Sequence, residues 1–276
     1  MPYSDYGKIF REIRTQKQLP LSYFESVGVD KSDLSKFERG FRMIGFERVV
    51  ALLQHMNVSL SEYELILNNF VLDFQEAFLN EVEKADFNQE VNKLKNLYDE
   101  AYISGHGLLA CAVKARFEEL TEKEINFVLD SLNNVTVWGY FELSILYFVL
   151  DNLSTKEMRS LFYKFEEKTQ NYHGIPKYSR RILQIAFQSV IVLSSKGEKE
   201  FVSQILELTK GRGKSGIDIY IENLRKLALG VNHYYFVNQR EGSKKIKKSL
   251  KIFSFLGHDE LAQYYRARIE YFKRHK

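Results

Sequence analysis

Proline is nearly absent from this chain: Pro2, Pro20 and Pro176 are the only three in 276 residues. Proline removes a backbone donor and clashes with the preceding helical turn, so a chain this poor in it can run through many helices unbroken. Apolar side chains recur at i, i+3, i+4 and i+7 over long stretches, the period of an amphipathic helix rather than a strand. Together these features predict an all-α fold, and an apolar fraction of 45% supplies a core. The longest uncharged run, Ile182 to Ser195, has 14 residues, short of the ~20 that a spanning helix requires. Asp5 and Lys8 interrupt any basic-then-apolar leader at the start. Cys111 is the only cysteine, which excludes an internal disulfide and fits a reducing compartment. The expectation is a soluble cytoplasmic protein without a membrane partner.

The first 60 residues have an organisation of their own. Tyr6, Ile9, Phe10 and Ile13 form one apolar helix face, with Arg11 and Arg14 opposite. Pro20 breaks the chain before a second short helix carrying Phe24 and Val27, and Gly28 can adopt the left-handed conformation that closes it. Asp30 is placed to cap a third helix, Lys31 to Arg39, with Gly40 as its stop. A fourth helix carrying Phe46, Val49, Val50, Leu53 and Met56 closes a small core. Helix, glycine-marked turn and short basic helix in this order predict a helix-turn-helix of the phage-repressor-like type.

If Leu34 and Phe37 face that core, Lys31, Ser32, Ser35 and Lys36 face outward, near the helix end that enters a major groove in such motifs. Lysine and serine can donate to purine N7 or O6 at base edges. Arg11, Arg14 and Arg42 are the expected phosphate contacts, which set register without reading sequence. Glu38 would repel phosphate, so it is expected to turn inward and pair with Arg14 or Arg11.

From Leu60 onward, helical stretches alternate with short breaks to the end of the chain. The periodicity predicts helices over 61–84, 87–103, 105–119, 122–133, 137–152, 155–170, 177–195, 198–210, 217–239, 242–256 and 259–273. Thr121 with Glu124 has the spacing of a capping box, and Asp259 opens the last helix. Helix pairs recurring about every 35–45 residues predict a tetratricopeptide-like superhelix with a concave groove. The expected division is a DNA-binding domain over 1–60, a linker helix over 61–85, and a repeat domain for sensing and dimerisation over 86–276. Charge is uneven along it. Residues 61–170 carry 20 acidic and 10 basic side chains, whereas residues 210–276 carry 16 basic and six acidic ones. The basic run "SKKIKKSLK" (243–251) reads either as a solvated helix face or as a surface for an acidic ligand or for phosphate.

The strings "GKIFREIRTQKQ", "KSDLSKFERG" and "VWGYFELSILYFVLDNLS" (137–154) resemble the Rgg/GadR/MutR family of bacterial transcriptional regulators, over essentially the whole chain. The resemblance implies a cytoplasmic homodimer that binds promoter double-stranded DNA. It also implies a repeat domain that takes up a short signalling peptide, as in quorum sensing, and alters transcription. Some relatives carry a cysteine in the head that links two subunits; this head has none. Cys111, in "GLLACAVKA", is expected to be a buried small hydrophobe.

An extended peptide needs partners for its backbone N–H and C=O groups, which Asn and Gln amides provide, and its carboxylates suit an arginine fork. Arg181, Gln184 and Gln188 share one helix face, while Asn223, Asn232 and Tyr235 lie on the helix predicted over 217–239; these six are the peptide-binding candidates. Trp138 and Tyr140 are expected to pack between repeats. Phe253, Phe255, Leu261, Tyr264 and Tyr265 are the expected dimer seam.

Nothing here points to an enzyme, a cofactor or a metal site. "GRGKSG" (211–216) lacks the four-residue gap of a phosphate-binding loop and reads as a linker, and the histidines, among them His275, are scattered without an HExxH pattern. Two other readings remain open. One is a repeat regulator responding to a small molecule or to pH, with His173 near Tyr172 and Tyr178 as the titrating group. The other is a protein-binding adaptor that has lost DNA binding; such a chain would not need lysines and serines facing outward on its third helix.

Overall fold

The computed structural model describes residues 4–212 and 218–274, and these divide into two compact units, 1–78 and 79–276. All regular secondary structure among the described residues is helical, with no strand among them. Helices α1 (Ser4–Gln16), α2 (Lys31–Glu38), α3 (Phe46–His55) and α4 (Leu60–Leu67) build the first unit, with a 3-10 turn over Leu21–Val27. Most of the apolar set expected from periodicity forms its core: Phe10, Ile13, Phe24, Leu34, Phe37, Val49, Leu53 and Met56 are buried, joined by Leu52, whereas Tyr6 and Phe46 lie exposed. The breaks fall where the residues require them. Gly28 and Gly40 adopt φ of 77° and 73°, the left-handed region that glycine enters without a steric cost.

The expected linker helix does not exist as one piece. The segment read as a helix over 61–84 is α4 followed, after residues 68–73, by α5 (Phe74–Phe87). Asn69 and Phe70 take φ of 53° and 61°, which ends α4. Tyr63 and Leu67 of α4 join the core of the head, and the Tyr63 hydroxyl donates to the Tyr6 carbonyl at 2.5 Å. Helix α4 therefore belongs to the head rather than to a connector.

The second unit contains the rest of α5 and α6 (Val91–Ile103), α7 (Gly107–Lys114), α8 (Glu122–Asn134), α9 (Tyr140–Val149), α10 (Thr155–Tyr163), α11 (Phe165–Thr169), α12 (Pro176–Ser195), α13 (Lys199–Leu208), α14 (Ile219–Phe236), α15 (Gln239–Phe255) and α16 (Asp259–Arg274). The stretch predicted as one helix over 155–170 breaks at Lys164 into α10 and α11. Thr121 and Glu124 form the capping box of α8, and Ser154 with Glu157 forms another on α10. Helix α12 is the spine of the array. Every residue from Arg181 to Ser194 is buried, as befits a helix enclosed on all sides, and α9, α13, α14 and α16 pack around it.

Side-chain placement settles several expectations. Trp138 is fully buried, and its indole N–H donates to the Leu132 carbonyl at 2.8 Å. Cys111 is buried too, and burial pushes its thiol pKa up. The lysines of the 243–251 run lie on the exposed face of α15, while Ile246, Leu250 and Phe253 turn inward. The expected dimer seam is not available: Phe253, Leu261, Tyr264 and Tyr265 are core residues of the array itself, and only Phe255 is exposed. Their spacing marks an apolar face correctly, but that face is covered from within the chain. Residues 213–216 of "GRGKSG" and His275 lie outside the described residues.

Candidate nucleic-acid interface and ligand face

In the head, α2 is fixed at both ends and along one side. The Asp30 carboxylate accepts from the Ser32 backbone N–H at 2.7 Å, satisfying one of the helix's free N-terminal donors. Leu34 and Phe37 anchor its inner face in the core. Lys31, Ser32 and Lys36 then face solvent and Ser35 is half-buried beside them. Lys31 holds Glu25 at 2.6 Å and Arg42 holds Asp33 at 2.8 Å. Both are exposed pairs, worth little in water and readily exchanged for phosphate. Arg11 is exposed on α1. Arg39 was missed by the sequence reading. It lies two turns after Lys31 on the same outer face, with its guanidinium 5.2 Å from the centre of the exposed Phe41 ring.

Arg14 is a correction. It does not face a phosphate but lies inside the head, where its Nε and Nη2 donate to the two Glu38 oxygens at 2.6 and 2.8 Å. Its Nη1 donates to the Leu19 carbonyl at 2.6 Å. The hydrogen bond to Glu38 raises the guanidinium pKa further. The inward pairing expected of Glu38 is therefore present, and it consumes the arginine that was also assigned to DNA.

In the array, Arg181, Gln184 and Gln188 line one face of α12, as their spacing requires, but they are buried and engaged rather than open to a groove. Arg181 forks the Glu83 carboxylate, Nη1 to Oε1 at 3.1 Å and Nη2 to Oε2 at 2.8 Å. Its Nη2 also donates to the Tyr140 hydroxyl at 3.1 Å. Gln184 donates to Glu83 at 3.0 Å and to the Tyr220 hydroxyl at 3.3 Å. Gln188 donates to Asp151 at 3.2 Å. Asp151 also takes Arg268 at 2.5 Å and Arg116 at 3.2 Å, while Arg116 Nε lies 3.1 Å from Asp86. The Tyr264 hydroxyl donates to Asp86 at 2.9 Å and accepts from both Arg116 and Arg268. Burial raises the Asp151 pKa, but Arg268 and Arg116 more than offset this and hold the carboxyl below its usual range.

The remaining candidates are not gathered with these three. Asn223 is buried and donates to the Ser249 carbonyl at 2.9 Å, tying α14 to α15. Asn232 and Tyr235 are half-buried, nine and 12 residues further along α14, and the Tyr235 hydroxyl reaches the Phe272 carbonyl at 3.5 Å. Asn232 falls on the side of α14 opposite Asn223, because nine residues are two and a half turns. Glu83, Asp86, Arg116, Asp151 and Arg268 were not singled out from sequence. Their partners lie far along the chain, 98 positions in the case of Glu83 and Arg181, and no local pattern announces such a pairing.

A helix-turn-helix head with an outward lysine and serine face, followed by a helical-repeat array with a polar interior, defines a transcriptional regulator of the repeat-containing class. The chain belongs to the Rgg family: the family model described as "HTH-type transcriptional regulator Rgg, C-terminal domain" matches residues 74–267. This is a family of transcriptional regulators, not of enzymes. Among solved structures, the SHP pheromone receptor Rgg2 of Streptococcus dysgalactiae aligns with a TM-score of 0.74 at 22% identity, covering 97% of this chain and 99% of that one. PrgX, in its complex with cCF10, gives 0.65 at 15% identity over 97% and 93%. ComR from S. thermophilus, in complex with DNA and its signalling peptide ComS, gives 0.53 at 10% identity over 97% and 99%. These likenesses establish the all-helical fold, head and repeat array together. No helix among the described residues is long and apolar enough to cross a membrane.

Proposed function

We propose that this protein is a sequence-specific, promoter-binding regulator whose array takes up a short signalling peptide, working as a cytoplasmic homodimer. The observation that carries the reading is the outer face of α2. Lys31, Ser32 and Lys36 are presented to solvent by a helix capped, anchored and stopped around them. An exposed cationic face on a rigid helix suits base-edge and phosphate contacts. A single head of this size spans few base pairs, which favours two heads on a near-palindromic site. The peptide part of the proposal draws support from relatives solved with their peptides.

Native mass spectrometry of the purified protein, incubated with spent medium from its own host, tests the peptide and dimer parts together. A defined peptide adduct on a dimer is the expected result; an intact dimer with no adduct refutes peptide sensing. Selection of host genomic fragments on the same protein tests the DNA part. Enrichment of one near-palindromic sequence is expected, and an unenriched pool would instead identify an adaptor.

A further inference from the structure

The polar interior of the array is charge-balanced: Arg116, Arg181 and Arg268 face Asp86, Asp151 and Glu83. Two of the three carboxylates, Glu83 and Asp86, come from α5. This helix lacks the close backbone packing that joins α12 to α14 and α14 to α15. It is held by Leu79, Val82 and Ala85 on its inner side and by these two acids. Glu83 is the more accessible of the pair, its side chain 17% exposed against 5% for Asp86. Its carboxylate sits in a receptor of unusual completeness for an internal residue. The Arg181 fork and the Gln184 amide converge on it, the Tyr140 hydroxyl accepts from the same guanidinium, and that guanidinium lies 4.5 Å from the centre of the Tyr147 ring. Two buried polar atoms of this receptor, Arg181 Nε and the Tyr147 hydroxyl, have no hydrogen-bond partner, so it has hydrogen-bonding capacity that Glu83 does not use.

We propose that this receptor is a ligand carboxylate site that Glu83 fills from within the chain, and that a carboxylate-bearing ligand binds by replacing Glu83 on Arg181 and Gln184. The exchange substitutes one carboxylate for another, so the buried arginine is never left unpaired, the outcome that makes opening a buried pair costly. It also frees one end of the tether on α5, the helix that runs from the first unit into the second. This inference rests on the peptide-sensing reading and names the chemical group recognised: a chain-terminal or side-chain carboxylate.

Two measurements on the full-length chain test it. In the first, Glu83→Ala vacates the receptor, and thermal unfolding is followed with N-acetylglycine, which models a chain terminus, or N-acetylglutamate α-amide, which models an acidic side chain. Chloride at equal ionic strength is the control. Either probe should raise the Tm of E83A by several degrees, with a smaller effect on wild type and none on E83A/R181M; the better probe identifies the carboxylate source. In the second, wild type, E83Q and R181M are exposed to a mixed-sequence synthetic octapeptide library, once with free and once with amidated C-termini, and retained peptides are counted by mass spectrometry. E83Q should retain at least tenfold more than wild type, and R181M only background. Equal retention by all three variants overturns the proposal, as does a probe effect indifferent to Arg181. If no variant retains peptide while the Tm of E83A still rises through Arg181, the carboxylate site stands and the peptide reading fails. Should E83A not fold, E83Q carries the first comparison as well.

Discussion

The Arg14–Glu38 pair illustrates how much one buried side chain decides. The two residues are 24 positions apart and join α1 to the last turn of α2 through two hydrogen bonds and an ion pair. Removing one partner leaves the other charge buried and unpaired, which costs about 3 kcal/mol. Arg14→Met and Glu38→Leu should each lower the stability of the head by roughly that amount in urea unfolding. The double variant should recover most of the loss, and strictly additive losses would count against coupling. On the outer face of α2 the expectation is different. Lys36→Ala should weaken binding to the selected operator by about 1–3 kcal/mol and relax its sequence preference, whereas Arg11→Ala should weaken all sequences alike and reduce the salt slope by about one. Anisotropy titrations across salt concentrations distinguish the two. The same residues show what sequence alone resolves. Asp30, Gly28, Gly40 and the inward turn of Glu38 follow from local chemistry. Which arginine met Glu38 did not, because Arg11 and Arg14 differ by less than one helical turn.

Helix existence was legible almost everywhere, because 3.6-residue periodicity is a property of a single segment. Breaks were less so. The stretch read as 61–84 divides at Asn69 and Phe70, and a phenylalanine in the left-handed region is not a signal that residue type provides. Close helix crossings are also hidden from pattern. At Gly7, a Cβ atom would lie 1.7 Å from the Phe37 carbonyl oxygen, so α1 and α2 touch there through backbone. Gly7→Ala must therefore separate the two helices or displace the end of α2, at a cost of about 3 kcal/mol or more. Loss of cooperative head unfolding in far-UV circular dichroism is the expected readout; an unchanged profile would show that the crossing can yield. Helix α8 offers a companion case. The buried Lys168 ammonium donates to the carbonyls of Leu132, Asn133 and Val135 at 2.9, 3.2 and 2.6 Å. It thus caps a C-terminus whose carbonyls the helix cannot satisfy itself. Lys168→Met should cost roughly 2–3 kcal/mol and increase amide exchange in the last turn of α8 before the rest of that helix.

At the scale of the whole chain, the two units can be followed separately because Trp138, the only tryptophan, is buried in the second. Its fluorescence reports the array, whereas far-UV circular dichroism reports every helix. The polar interior makes that array sensitive to acid in a definite direction. Asp151 is held below its usual pKa by Arg268 and Arg116 against the effect of burial. A depressed carboxyl contributes stability that is fully present above its unfolded value, about 3.9 for aspartate, and is lost as pH falls through the lower folded value. Asp151 is also where residues from different parts of the array converge: Arg116 following α7, Gln188 on α12 and Arg268 on α16. Asp151→Asn should therefore destabilise the tryptophan-detected transition at neutral pH. The gap from wild type should persist down to about pH 4 and narrow below it, as wild type loses the contribution that the variant never had. A gap that stays constant to the acid limit would show that the carboxylate charge is not what Arg116 and Arg268 respond to. Among the described residues the head's buried acid–arginine contact is the Arg14–Glu38 pair, with no link to Asp151, so the Asp151→Asn effect should appear in the fluorescence transition and only in part in the dichroism.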